Sequence, residues 1–247
     1  MLKIVDLSKR YEDNNLALDH LYLEIESGQI FALLGANGAG KSTTINLICG
    51  FIPPSSGDVE IEGISLKKEP LKIKSKLAYL SENVMLYDNF TGFQNLQFFA
   101  NIGGNKLTKN ELETILRDIG LQEEFIHKNI SKYSKGMRQK IGIAIALVKN
   151  APVFLLDEPF SGLDPKAAHD FQLLLYKLRD EGKTIFMSTH DIFRAKEMAD
   201  VVGIMKDGRL VMTKTKDELE YEDLSKIYLD YMEGRETKIE EDDQEVQ

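Results

Sequence analysis

Cysteine is almost absent from the 247-residue sequence, where Cys49 stands alone. One thiol excludes an intramolecular disulfide and any all-cysteine metal cluster. Long apolar runs are missing too. The longest uninterrupted one covers residues 143–148, against the roughly 20 residues of a membrane helix, so the chain is not expected to cross a membrane itself. The start, Met1-Leu2-Lys3-Ile4-Val5-Asp6, has no signal-peptide apolar region or cleavage site, and folding is expected to begin in the cytosol. A basic surplus is also lacking, since the net charge is −9. Residues 214–247 hold 5 basic and 13 acidic side chains, which leaves the remainder close to neutral. Phosphate backbones require a basic surface, so no nucleic-acid partner is expected. The run Glu240-Glu241-Asp242-Asp243 reads as a solvated terminus.

What is present is an ordinary globular composition, 43% hydrophobic and 29% charged, which excludes disorder as the main state. The length suits one large domain or two small ones. Leu16, Leu18, Leu21, Leu23 and Ile25 follow a period near two, the mark of a strand. Residues 29–34 form a buried strand before a glycine-rich loop, and residues 41–49 a helix stopped by Gly50. A short strand is expected at 59–62. From 90 to 149 nearly everything reads as helix, and Thr108 with Glu111 makes a capping box. Alternation then returns: strand 153–156, helix 165–180, strand 184–188, helix 192–199. A hairpin of 201–205 and 209–212 turns through Asp207-Gly208. Residues 216–232 carry helical apolar spacing. Strands alternating with helices predict an α/β fold with a mostly parallel sheet covered on both faces, and a helical insert in its middle.

The run Gly35-Ala36-Asn37-Gly38-Ala39-Gly40-Lys41-Ser42 matches G-x-x-x-x-G-K-[ST] in full. Bare glycines let backbone N–H groups curl around a phosphate, and the following helix aims its positive end at the same anion. Lys41 offers charge to the β- and γ-phosphates, and Ser42 a hydroxyl to Mg²⁺. The glycine spacing is not that of a dinucleotide site. The loop points to a nucleoside triphosphate without specifying the machine.

Val153-Phe154-Leu155-Leu156-Asp157-Glu158-Pro159 is an apolar strand ending in two acids. Alone it is also what an ordinary strand with a charged turn looks like. Beside a phosphate loop, Asp157 suits the Mg²⁺ shell and Glu158 suits polarising a water for in-line attack. Adjacent carboxylates with separate roles favour hydrolysis over transfer to a second substrate.

Between these motifs, Ser134-Lys135-Gly136-Met137-Arg138-Gln139 resembles the signature of the ATP-binding-cassette (ABC) ATPases. Ser161-Gly162-Leu163-Asp164-Pro165 resembles that family's D-loop, Ser188-Thr189-His190 its switch histidine, and Tyr11 its adenine-stacking aromatic. The likeness runs from about residue 1 to 213. It implies a P-loop NTPase with a RecA-like, mostly parallel sheet core, an antiparallel β subdomain and an α-helical subdomain inserted at about 83–150. Residues 214–247 would add a C-terminal helix and an acidic tail. The resemblance further implies ATP and Mg²⁺ as cofactors, and a head-to-tail dimer with a second copy or a similar ATPase. Each ATP would lie between the phosphate loop of one subunit, with Thr43 beside it, and Ser134 and Gly136 of the other. Asp164 joins this nucleotide-binding set, and His190 would bond the γ-phosphate. Lys41, Glu158 and His190 are the expected catalytic residues; Ser42, Asp157 and Glu82 are the expected metal-associated ones.

Three positions depart from the family pattern. Lys135 stands where the signature commonly has glycine, and Glu82 where the family usually places a glutamine that contacts Mg²⁺ and the attacking water. (Met137 likewise replaces a common glutamine.) The variants resemble the export-type subfamily, whose ATPase and membrane subunits are separate chains. The expected function is therefore an ATP-hydrolysing transporter subunit on the cytoplasmic side of the cell membrane, bound peripherally to an integral permease. The aromatic stretch 86–96, continuing to Phe98 and Phe99, is the expected docking region, with about half its rings filling the helical subdomain. A soluble relative acting on ribosomes or nucleic acid is the alternative, although such relatives carry two cassettes or a long coiled coil. A GTPase is disfavoured because Asn105-Lys106-Leu107-Thr108 lacks the Asp that reads guanine.

Overall fold

Near-continuous apolar runs make the centre of this fold. In a computed structural model that describes residues 1–12 and 14–233, all five residues of the strand at Ile30–Leu34 and all six of that at Thr184–Thr189 are buried. Such strands need cover on both faces. The elements in chain order are β1 (Leu2–Arg10), β2 (Leu16–Ile25), β3 (Ile30–Leu34), α1 (Lys41–Ile48), β4 (Ser56–Ile61), β5 (Ile64–Ser65), α2 (Pro70–Lys76) and β6 (Leu77–Leu80). Then follow α3 (Gly92–Ile102), α4 (Lys109–Asp118), α5 (Glu123–Ile126), α6 (Lys135–Val148), β7 (Val153–Asp157), α7 (Pro165–Asp180) and β8 (Thr184–Thr189). The chain ends with α8 (Ile192–Met198), β9 (Val201–Lys206), β10 (Arg209–Thr215), α9 (Lys216–Glu220) and α10 (Leu224–Glu233).

Among the described residues these strands make two sheets. One is antiparallel, ordered β2-β1-β4-β5; the other runs β10-β9-β3-β8-β7-β6. The second is parallel throughout except for the β9–β10 hairpin. Alternation along β3 divides the core. Phe31 and Leu33 face one way, with Leu155, Phe186 and the antiparallel sheet's Leu2, Ile4 and Leu21. Ile30, Ala32 and Leu34 face the other, with Leu156, Ile185 and the helices. Each large apolar side chain buried this way contributes about 2 kcal/mol. Parallel pairing has one functional consequence: β3, β7 and β8 all end at the same edge, so Gly35, Glu158 and His190 emerge together.

Most expected elements are present within a residue or two. The helical middle is real, but residues 119–134 hold only the four-residue α5 and a short 3-10 turn at Ile130–Lys132. The capping box at Thr108 and Glu111 forms, and Thr91 with Gln94 makes a second. The single helix expected at 216–232 is two: the chain breaks after Glu220, and the Asp223 carboxylate accepts the N–H groups of Ser225 and Lys226 to start a new helix. Residues 64–80, without an assignment from sequence, supply β5, α2 and the edge strand β6. The acidic run at 240–243 lies outside the described residues.

Candidate active site

The loop between β3 and α1 is shaped by its neighbours. Gly40 has φ 111°, and a Cβ there would stand 2.7 Å from the Ala17 carbonyl oxygen, so only glycine fits. Gly35 N–H bonds Thr189 O at 3.2 Å, and the Gly208 N–H bonds Ala39 O at 2.9 Å. No side chain caps α1, which leaves its first N–H groups available to an anion. Lys41 is buried, and its Nζ donates to Gly35 O at 2.7 Å and Ala36 O at 3.2 Å. Burial lowers its pKa, opposed by the charges of Glu158 and Asp157. Ser42, beside it, faces the opening.

The two acids sit across from this loop. Asp157 Oδ1 accepts the Ser188 hydroxyl at 2.6 Å. Glu158 has φ 48°, a left-handed conformation costly for a non-glycine residue. Its N–H is held by both Ser188 O and Ser188 Oγ at 3.2 Å. The side chain turns inward, with Oε1 3.7 Å from Lys41 Nζ and Oε2 3.0 Å from His190 Nδ1. The geometry therefore gathers Lys41, Glu158 and His190 into one chain of contacts.

Lys41, Asp157 and Glu158 border a cavity of about 530 Å³, within the range of small-molecule sites, while Gly35, Ala39 and His190 are not among its lining residues. Tyr11, Ala36, Asn37, Gly38, Gly40, Lys41, Ser42, Thr43, Glu82, Asp157 and Glu158 line it. Tyr11 is 40% exposed at the rim, with a backbone bond from its N–H to Asn15 O. The remaining wall was not read from sequence: Asn15, Leu16, Ala17, Asp207 and Gly208. Asp207-Gly208 is legible as a turn, but nothing local places it here. The β3–β9 pairing does, and the Asp19 N–H to Gly208 O bond at 2.9 Å fastens it.

Ser134, Gly136 and Asp164 are not part of this cavity. They line another, of about 290 Å³, with Gly120, Lys140 and Asp170. Ser134 caps α6 by accepting the Met137 N–H at 3.3 Å, and Asp164 caps α7 by accepting the Ala167 N–H at 3.0 Å. Glu82 lies between the two regions. Its Oε1 accepts the Ser161 hydroxyl at 2.7 Å and sits 3.4 Å from Lys135 Nζ. The Ser161 hydrogen bond, aided by Lys135, holds its carboxyl below the usual range.

The donor set fits a magnesium ion. The Ser42 hydroxyl and the Asp157 and Glu82 carboxylates are hard oxygens at one cavity. No cluster of three or more His, Cys, Asp or Glu suited to a metal occurs among the described residues. Mg²⁺ favours such a sparse set, because it retains waters and phosphate oxygens rather than an all-protein cage.

The ABC transporter family model matches residues 18–161. The bacitracin transport ATP-binding protein BcrA of Bacillus licheniformis is 36% identical over 234 residues, covering 94% of this chain and 74% of its own. A solved ATP-binding subunit of an ABC transporter superposes with TM-score 0.82 at 31% identity, over 94% of this chain and 99% of that one. A dimeric ATP-binding cassette in a post-hydrolysis state, bound to ADP and Pi, matches with TM-score 0.78 at 28% identity, over 87% and 99%.

Proposed function

The chain belongs to the ABC transporter family as an ATP-binding, ATP-hydrolysing subunit, and on that premise we propose how its residues divide the work. The carrying observation is the position of Glu158 between Lys41 and His190. Lys41, now bonded to the loop's own carbonyls, transfers those bonds to β- and γ-phosphate oxygens. The N–H groups of residues 36–43 hold the remaining phosphate charge, and Tyr11 stacks on the base at the rim. Glu158 accepts a proton from a water that attacks the γ-phosphorus in line, and the bond to the ADP oxygen breaks. His190 orients that carboxylate and donates to the γ-phosphate. Mg²⁺, held through Ser42, Asp157 and Glu82, neutralises charge on the phosphates when bound.

Ser134, Gly136 and Asp164 serve the partner's nucleotide in a head-to-tail dimer. Their place in a cavity other than the phosphate-loop one, and the likeness to a dimeric cassette, support that assignment. Residues 1–213 then form the cassette, with 83–150 as its helical insert and 214–247 as an appendage. The dimer drives a separate membrane permease, a transport role supported by likeness to bacitracin transport ATP-binding proteins, and the resemblance of Lys135 and Glu82 to the export-type subfamily favours export. No helix among the described residues is long and apolar enough to cross a membrane. The proposed position, peripheral on the cytoplasmic face, rests on likeness to transport ATP-binding proteins. Tyr87, Phe90, Phe98 and Phe99 contact one another with centroids 4.8–6.1 Å apart. None of the four is fully buried, and Met85 beside them is 84% exposed. They are the proposed docking surface for the permease.

Glu158→Gln tests the reading. The variant should bind Mg-ATP, turn over at least about a hundredfold more slowly, and elute as a dimer in gel filtration. Monomeric elution at saturating Mg-ATP would count against the sandwich. The trapped dimer, tagged and recovered from detergent-solubilised membranes, should bring one polytopic membrane protein with it. Recovery of ribosomal proteins instead would favour a soluble ATPase.

A further inference from the structure

Two of the three departures from the family pattern, Lys135 and Glu82, touch each other. Lys135 Nζ lies 3.4 Å from Glu82 Oε1, and the same oxygen accepts the Ser161 hydroxyl at 2.7 Å. The lysine stem crosses Gly162, with Cδ and Nζ both 3.6 Å from where a Cβ would stand on that glycine. One carboxylate thus ties together the segment after β6, the first residue of α6 and the segment after β7. Glu82 also lines the phosphate-loop cavity. A glutamine facing a glycine, the usual combination, has no ionic attraction to offer. Here the carboxylate has two competing destinations: the ammonium of Lys135, or a cation arriving with the nucleotide.

Resting on the reading of this cavity as a nucleotide site, we infer that Lys135 is a positioning residue whose ion pair with Glu82 responds to how the cavity is loaded. With metal-free nucleotide, Lys135 holds the Glu82 charge against Ser161 and away from the phosphates, which that charge would otherwise repel. With the Mg²⁺ complex, Glu82 turns to the cation and Lys135 is released at the N-terminus of α6. The pair therefore couples cation loading to the start of the helix that carries Ser134 and Gly136. The side chains are 28% and 45% exposed, so the attraction is that of a solvated pair, worth up to about a fivefold change in an equilibrium.

The test is a double-mutant cycle on the full chain: wild type, Lys135→Met, Glu82→Gln and the double variant. ATP affinity is measured by calorimetry with a non-hydrolysable ATP analogue, in MgCl₂ and again in EDTA. Relative to its effect in the Glu82→Gln background, Lys135→Met should tighten Mg-ATP binding about three- to fivefold and weaken metal-free ATP binding by a similar factor. Lys135→Arg should restore wild-type behaviour in both buffers, which separates loss of charge from loss of folding. A coupling of the same sign in magnesium and EDTA would overturn the inference. So would a Lys135→Met effect that persists unchanged in the Glu82→Gln background. Failure of the cavity reading is a different result: wild-type ATP affinity would then be unaffected by Lys41→Ala.

Discussion

Ser188 Oγ donates to Asp157 Oδ1 at 2.6 Å while accepting the N–H of Glu158 at 3.2 Å. One buried hydroxyl on β8 thereby holds the Asp157 carboxylate at the end of β7 and the backbone of Glu158 just after it, and the parallel register Asp157↔Ser188 makes it possible. Ser188→Ala should lower ATP turnover by about ten- to a hundredfold, as loss of such supporting hydrogen bonds commonly does. Metal-free ATP binding should be little changed. Steady-state hydrolysis alongside calorimetry in EDTA checks both halves.

Lys41 bonds two carbonyls of its own loop, Gly35 O at 2.7 Å and Ala36 O at 3.2 Å. These are partners of the kind a phosphate replaces, and charged hydrogen bonds contribute about 1.5–3 kcal/mol each. Lys41→Ala should therefore weaken ATP binding at least about tenfold. Unchanged affinity in a calorimetric titration would remove Lys41 from the proposed role.

Gly57, the second residue of β4, has φ 80°, and a Cβ there would stand 2.1 Å from Asp6 O and 2.5 Å from Leu7 Cα. The β1–β4 register shifts between Val5 and Ser8 at the same place. Both obstacles are backbone and cannot swing aside. Gly57→Ala should cost about 2 kcal/mol or more, read as a lowered urea midpoint. A midpoint equal to wild type would contradict the geometry.

Cys49 follows α1 and is buried, and burial pushes its thiol up to about 12. The native protein should thus keep the neutral thiol at pH 8 and resist thiol reagents, reacting only once denatured. Rapid stoichiometric labelling without denaturant would show the thiol to be accessible.

The elements most legible in the sequence were those with a local cause. Pro165 to Asp180 reads as a helix because Asp164 caps it and its apolar residues recur at helical spacing. β3 and β7 read as buried strands because they are wholly apolar up to their ends. Residues 70–76 were not legible, since a short lysine-rich helix anchored by Ile73 shows no clear period. The split at Tyr221 was hidden for a similar reason: the apolar spacing continues across a break made by one capping aspartate.

The chain's own sequence determined that a glycine loop precedes a helix, that two acids end a strand, and that a capped helix begins at Ser134. Each follows from residues within a few positions of one another, through backbone sterics, capping and apolar period. Only the tertiary structure decided that Asp207-Gly208 walls the phosphate-loop cavity, that Ser188 orders Asp157 and Glu158, and that Glu82 and Lys135 meet. Those contacts join residues at least 30 positions apart: the β3–β9 and β7–β8 pairings, whose register no local pattern encodes, bring the first two sets together, and the packing of α6 beside β6 brings Lys135 to Glu82.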